Sequence, residues 1–328
     1  MRYSLISPTF KRPDEVSEFI ASIAKLSYPR EAFEVILGDG TPGDALRPII
    51  KQVANDVDLP VKVVYQEFLP VSDARNLAAA AAEGDVLIFL DSDCLLPKDY
   101  LNKVDHGLTR DGWDAFGGPD AAPSDFSHLQ KAINYSMTSP LTTGGIRGGK
   151  QSTSTYYPRG FNMGMKAKVF KAVKGYDTAF KCGEDVELSI RINEAGYKVG
   201  LIPEAVVWHK RRSNLGQFYK QVRRFGSARI ALARQHKGQM KATHAFPAVF
   251  MLTWVAAFAL HVTQVFTLGI YAFHAYFLVI AILSSIKHLN PFVGLLSMVS
   301  TAVMFAGYAS GFMAAWWGDL QNKGQSLQ

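Results

Sequence analysis

The chain has 328 residues, with 35 Lys and Arg against 28 Asp and Glu, a net charge of +7, 48% apolar residues and 19% charged ones. That apolar content, with two cysteines only, excludes a disordered chain, a collagen-like fibre and a disulfide-stapled mini-protein. Charge is distributed so unevenly that the averages conceal two different solvents.

Residues 3–7 read as a short apolar strand, and the next segment places Val16, Phe19, Ile20, Ile23 and Ala24 at helical spacing over 13–26. The alternation continues with a strand at 34–38, a helix at 44–57, a strand at 61–66, an alanine-rich helix at 72–82 and a strand at 86–90. Apolar strands alternating with helices predict a parallel sheet covered on both faces. Ligands bind such sheets beyond the carboxyl ends of the strands, where the strand order reverses.

Those strand ends are Ser7-Pro8-Thr9, Asp39-Gly40 and Asp91-Ser92-Asp93-Cys94. Two carboxylates at i and i+2 on a turn can converge on a hard cation, with diphosphate oxygens completing its shell. The same tripeptide is also an ordinary turn and helix-cap sequence. Beyond residue 110 the pattern is less regular. Residues 137–160, rich in Gly, Ser and Thr, read as a long loop of the kind that is either a lid or disordered. Glu184 and Asp185 open a helix predicted through Gly196, where two acids suit the helix dipole as well as chemistry. A strand at 205–208 leads to His209, which is either a metal ligand or an ordinary surface or core histidine. No internal repeat is visible.

Then the composition changes. From Phe246 to Ile286, 41 residues include no Asp, Glu, Lys or Arg, and from His288 to Gly318 another 31 include none. A membrane span needs about 20 apolar residues, so the first run fits two helices with a turn near residues 267–269 and the second fits one. Between Glu204 and His244 stand ten basic residues against one acid, a local charge of +9 that leaves −2 for the rest of the chain. Basic flanks stay cytoplasmic, which predicts an N-terminal part in the cytoplasm and a multi-pass anchor in the inner membrane. Nothing before residue 246 reads as a signal peptide, and Cys94 and Cys182 are expected as reduced thiols without metal-type spacing. The basic residues 213–236 are interleaved with Leu215, Phe218, Tyr219, Val222, Phe225 and Ile230. That segment either lies in the membrane interface or packs on the preceding domain. Positive charge confined to the approach to a membrane argues against nucleic acid as a partner.

Taken in order, these motifs resemble the family 2 glycosyltransferases, inverting enzymes of the GT-A fold, and the resemblance runs over residues 3–226. Ser7-Pro8-Thr9-Phe10-Lys11-Arg12 is similar to the family's opening motif, Asp39 to its base-contacting acid, Ala74-Arg75-Asn76 to its Ala-Arg-Asn helix and Asp91-Ser92-Asp93 to its Asp-x-Asp motif. Gly160-Phe161-Asn162-Met163-Gly164 resembles the segment under the donor sugar, Gly183-Glu184-Asp185 the pair containing the catalytic base, and Gln221-Val222-Arg223-Arg224-Phe225 a Gln-x-x-Arg-Trp motif.

The resemblance implies an α/β GT-A domain, Rossmann-like with a mostly parallel sheet, over 1–212. A basic segment at 213–244, about three transmembrane helices at 245–318 and a short tail at 319–328 follow. It implies Asp185 as base with Glu184 beside it. Pro8, Thr9, Arg12, Asp39, Arg75, Asp91, Asn162, Gln221 and Arg224 would bind a nucleotide sugar, and Asp93 and His209 would hold Mg or Mn. Arg223 and Arg224 serve either the diphosphate or the anionic membrane surface. Phe225 replaces the Trp typical of processive synthases, which favours single addition over polymerisation. The expected activity is transfer of one sugar, from a donor expected to be a UDP-sugar, to a lipid-linked or envelope or exopolysaccharide glycan acceptor. Transfer directly to polyprenyl phosphate, or a non-catalytic membrane scaffold, are the alternatives. The sequence does not encode a readable oligomeric state.

Overall fold

The computed structural model describes residues 1–121, 126–143 and 155–325, with side chains as far as 318. They fall into two compact units, 1–121 with 155–210 and 126–143 with 211–325.

In the first unit the predicted alternation appears as β1 (Tyr3–Thr9), α1 (Pro13–Ala24), β2 (Phe33–Asp39), α2 (Arg47–Asp56), β3 (Val61–Tyr65), α3 (Val71–Ala80) and β4 (Val86–Leu90). The second helix starts later than its composition suggested, because Gly43 and Asp44 take left-handed backbone angles in the preceding 3-10 turn. After β4 come β5 (Cys94–Leu95), α4 (Tyr100–Asp111), β6 (Ala115–Gly117), β7 (Asp120–Ala121), β8 (Asn162–Lys166), α7 (Ala167–Ala172), α8 (Glu184–Glu194), β9 (Val199–Leu201) and β10 (Val207–His209). Two short helices in the intervening segment, α5 (His128–Thr138) and α6 (Pro140–Thr143), belong to the second unit.

The main sheet has the order β3-β2-β1-β4-β8-β6-β9. Its strands are parallel except β8, which runs antiparallel to both β4 and β6. The sheet is thus mostly parallel, as expected, with β8 as its antiparallel member. The order reverses between β1 and β4, which places a crevice at their carboxyl ends. Because β8 is antiparallel, its first residue, Asn162, lies beside Leu90 at that same edge.

Strand alternation divides the core in two. Tyr3, Leu5, Val35, Leu37, Ile88 and Leu90 face α1, α2 and α4, and Ile6, Ile36, Leu87, Phe89, Met163 and Met165 face α3, α7 and α8. Each such buried side chain contributes roughly 1.5–3 kcal/mol of transfer free energy. Close approach on the second face requires glycine: a Cβ on Gly38 would stand 2.3 Å from the Ala74 carbonyl oxygen, so the residue before Asp39 lets α3 sit directly on β2.

A second sheet of three short strands has the order β5-β10-β7. His209 lies opposite Cys94 in the antiparallel pair, and Val207 lies beside Asp120 in the parallel one.

The second unit is helical, with α9 (Leu215–Gln235), α10 (Ala242–Val262), α11 (Leu268–His288) and α12 (Pro291–Gln325) joining α5 and α6. Segment 126–143 lies within the stretch read as one N-terminal domain, yet it packs here. Ser127 and Gln130 form a capping box that starts α5, and Ile133 and Met137 then join Phe218, Val222, Met304 and Phe305 in one apolar cluster. Buried Ser136 lies 2.6 Å from Ser300 Oγ and 2.9 Å from Thr301 Oγ1, so its hydroxyl is satisfied by α12. Of the loop predicted over 137–160, residues 144–154 lie outside the described residues.

Within the basic segment, α9 runs from Leu215 to Gln235, and its apolar stripe is covered by α12. A Cβ on Gly311 would stand 1.9 Å from the Arg223 carbonyl oxygen, and one on Gly226 would stand 2.1 Å from that of Tyr308. These glycines permit backbone contact of the kind seen at small-residue helix crossings. Tyr219 and Ser310 hydroxyls close the contact at 2.9 Å.

Among the described residues, three helices are long and apolar enough to cross a membrane: Ala242–Val262, Leu268–His288 and Pro291–Gly318. Leu252, Val255, Phe258, Ile282 and Ile286 are exposed on them, an apolar surface that water does not tolerate and a lipid bilayer does.

Candidate active site

The crevice at the end of β1, β2 and β4 gathers three groups of side chains from the first unit. At the β1–β2 edge, Asp39 is wholly buried. Its Oδ1 accepts from the Thr9 hydroxyl at 3.0 Å, the Thr41 amide at 3.1 Å and the Thr41 hydroxyl at 2.7 Å. Its Oδ2 has no hydrogen-bond partner among the described residues. A buried carboxylate oxygen left this way suits an N–H donor from outside, such as that of a pyrimidine base. Thr41 also accepts from the Lys11 amide at 2.7 Å, which pins the turn where Lys11 and Arg12 both adopt left-handed angles. Pro8 is half-buried beside this turn, and Arg12 is exposed, pairs with Glu15 at 3.0 Å and feels the charge of Asp93.

The second group is built on Arg75, which α3 presents almost without exposure. Its guanidinium donates to Asp91 Oδ1 at 2.7 Å and to Glu184 Oε1 at 2.8 Å. It also lies over the Tyr176 ring, 5.2 Å from the centroid. Burial works to lower the Arg75 pKa, but Tyr176, Asp91, Glu184 and Asp185 outweigh it and the net direction is upward, so this cation is permanent. Burial pushes the Glu184 carboxyl above its ordinary range, with Arg75 opposing and Asp185 reinforcing the shift. Gly183 takes a left-handed angle and starts α8, so both acids stand in its first turn. Asp185 Oδ2 accepts from the Gly160 amide at 2.9 Å, and Oδ1 from the Val186 amide at 2.8 Å. The carboxylate is thereby oriented while still half-buried. Below it Glu187, fully buried, pairs with Arg191 at 2.6 Å, and Arg191 also donates to the Gly175 carbonyl at 2.7 Å, which anchors α8 to the turn that follows α7.

The third group comes from the three-stranded sheet. His209 Nε2 lies 3.2 Å from Asp93 Oδ1, and Nδ1 lies 3.5 Å from Asp120 Oδ2. Asp93, Cys94 and His209 offer ligand atoms within 4.8 Å of one another. Burial pushes the Cys94 thiol well up, followed by the charges of Asp93, Asp91 and Asp120, and the thiol lies 3.6 Å from the Phe161 carbonyl oxygen. A protonated thiol is no ligand for a hard cation, whereas a carboxylate and an imidazole suit Mn or Mg with further oxygens from a substrate. The donor set therefore fits such an ion, held by Asp93 and His209 with Asp91 nearby. The chemistry it would supply is neutralisation of charge on a diphosphate.

Other predicted residues are placed differently. Asn162 has no exposed surface, and its amide is spent on the Tyr100 hydroxyl at 2.6 Å and the Ala205 carbonyl at 2.7 Å. It joins β8 to α4 and to the turn that precedes β10. Gln221 and Arg224 are on α9 in the second unit, with Arg224 exposed. Asp120 and Tyr176 were not anticipated. Asp120 follows Gly117-Gly118-Pro119, which signals a turn, but one acid in a turn does not announce its partners.

The model of glycosyl transferase family 2 matches residues 4–174, more than half of the chain. The chain belongs to that family. Among curated relatives, the succinoglycan biosynthesis protein ExoA of Rhizobium meliloti is 26% identical over 312 residues, covering 94% of this chain and 93% of its own. The fold also resembles that of solved glycosyltransferase structures. The mannosyltransferase PcManGT of Pyrobaculum calidifontis, in complex with GDP-Man and Mn2+, superposes with a TM-score of 0.61 at 18% identity, over 97% of this chain and 87% of its own. Staphylococcus aureus TarS, residues 1–349 in complex with UDP-GlcNAc, gives 0.50 at 16% identity over 97% and 92%. This family 2 glycosyltransferase thus has a GT-A-like sheet followed by three long apolar helices.

Proposed function

We propose that this glycosyltransferase moves a single sugar, with inversion, from a nucleotide-diphosphate sugar to a lipid-linked or exopolysaccharide glycan acceptor at the cytoplasmic face of the membrane. The observation that carries the reading is the convergence of Asp91, Glu184 and Asp185 around one buried cation, Arg75, beside the Asp93–His209 pair. Asp93 and His209 would hold a cation that neutralises the negative charge developing on a leaving diphosphate, and the permanent guanidinium of Arg75 fixes Asp91 and Glu184 around it. An oriented carboxylate takes the proton of an attacking hydroxyl, and Asp185 is held for that by two backbone amides. As the anomeric bond to the diphosphate oxygen breaks, the acceptor oxygen forms its own bond from the opposite face.

The acceptor and its side of the membrane rest on the apolar helices and on the basic helix α9 packed against them. Its charge favours the cytoplasmic leaflet, where anionic headgroups lie. The protein purified in detergent, given Mn2+, a panel of UDP- and GDP-sugars and a membrane extract containing lipid-linked saccharides, should add one sugar of inverted anomeric configuration. Retained configuration, or multiple additions per acceptor, would refute the proposal. Donor binding without transfer to any glycan but with transfer to polyprenyl phosphate would replace the acceptor.

A further inference from the structure

We propose that Asp120 is a positioning residue of the cation site, acting through His209; the inference rests on the metal-assisted reading above. Three short strands, and no long-range motif, bring the groups together. Antiparallel pairing puts His209 opposite Cys94, next to Asp93, while parallel pairing puts Asp120 beside Val207, two residues from His209 and so on the same face of β10. The imidazole is consequently bracketed, with Nε2 3.2 Å from Asp93 Oδ1 and Nδ1 3.5 Å from Asp120 Oδ2. On its flat side the ring meets Phe161, centroid to centroid at 5.1 Å.

This arrangement gives the two ring nitrogens different work. An imidazole binds a cation through a nitrogen that carries no proton, and the tautomer is set by what the other nitrogen faces. At 3.5 Å the Asp120–Nδ1 contact is an ion-pair distance rather than a hydrogen bond. The nearby carboxylate charge favours the proton on Nδ1, which leaves the lone pair of Nε2 beside Asp93, the carboxylate that would share the ion. Carboxylate–histidine–metal arrangements of this kind orient the ring and raise its basicity. Asp120 has only 2% of its side chain exposed, a burial that a merely solvating acid does not need. The back of the same strand carries an unrelated groove lined by Trp208, Leu95 and Leu96, so the strand alternation also keeps the two surfaces apart.

The test uses the full-length protein in detergent and MnCl2 alone, with bound Mn2+ read by electron paramagnetic resonance and no donor present. Asp120→Ala should weaken Mn2+ binding about 10- to 100-fold, the usual cost of losing an outer carboxylate. Asp120→Asn, whose amide oxygen can still accept from Nδ1–H, should retain most of the affinity. In a His209→Ala background, Asp120→Ala should add no further loss, because the residue has nothing left to orient. Additive losses, or an Asp120→Asn defect as large as that of Asp93→Ala, would make Asp120 a direct ligand and overturn the proposal. Unchanged Mn2+ binding in Asp120→Ala would overturn it too. If wild-type protein binds Mn2+ as described but transfers no sugar, the functional reading fails and this one stands.

Discussion

Arg75 and Glu184, 109 positions apart in the chain, meet at 2.8 Å, and the guanidinium spends its other arm on Asp91 at 2.7 Å. With 3% of the arginine side chain and 15% of that of Glu184 exposed, solvent screens this contact little. Removing one partner of a buried pair leaves a charge without compensation, at a cost of about 3–5 kcal/mol. Arg75→Met should therefore lower the thermal unfolding midpoint markedly, and adding Glu184→Gln should recover much of the loss. Equal midpoints for Arg75→Met and wild type would show that the pair contributes nothing.

The same burial has a consequence for pH. The Glu184 carboxyl is raised above its ordinary 4.5, burial being the largest cause. The folded protein then binds this proton more tightly than the unfolded chain does. Its stabilising contribution is complete below pH 4.5 and is lost as pH rises through the raised folded value. Glu184→Gln should flatten that part of the stability profile, measured as unfolding midpoint against pH. An unaltered slope would assign it to other groups.

Asp185 is held by two amides, and an asparagine oxygen can keep one of them. Asp185→Asn should reduce transfer about 10²- to 10⁴-fold, the range for a general base, with donor affinity unchanged. Turnover at the wild-type rate would remove Asp185 from that role.

Asp93→Ala should weaken nucleotide binding in Mn2+ and leave it unchanged in EDTA, since Asp93 meets its neighbours as a prospective ligand alongside His209. Calorimetry with UDP in both buffers checks this. A loss of equal size in EDTA would point to direct nucleotide contact instead.

At the crossing of α9 and α12, a leucine at Gly311 would drive its side chain into the Arg223 carbonyl. We expect Gly311→Leu to cost about 1–3 kcal/mol, seen as a lower unfolding midpoint, while Gly318→Ala, which meets nothing within 4 Å, should be neutral. Equal behaviour of the two variants would mean the helices are not packed this way.

The strands and the crevice were legible because their signal is local. Val86-Leu87-Ile88-Phe89-Leu90 has to be buried, and the acids that follow it have to lie at its end. β8 escaped detection because Asn162-Met163-Gly164-Met165-Lys166 has no branched residue and a central glycine. Gly164 is there to admit the Phe116 ring, which a Cβ would meet at 2.2 Å, a demand that only the neighbouring strand creates. α5 was obscured in part by Ser136, whose buried hydroxyl is paired in the folded unit by Ser300 and Thr301, some 160 positions away.

Apolar periodicity and the stretches without charge, being properties of neighbouring residues, sufficed to determine an alternating α/β part, a basic segment and three helices long enough for a bilayer. The tertiary structure alone decided which acids share a cation, which oxygen of Asp39 is left open, and that Asp120 stands behind His209. Those facts depend on strand order and register, which bring together side chains that the chain itself keeps far apart.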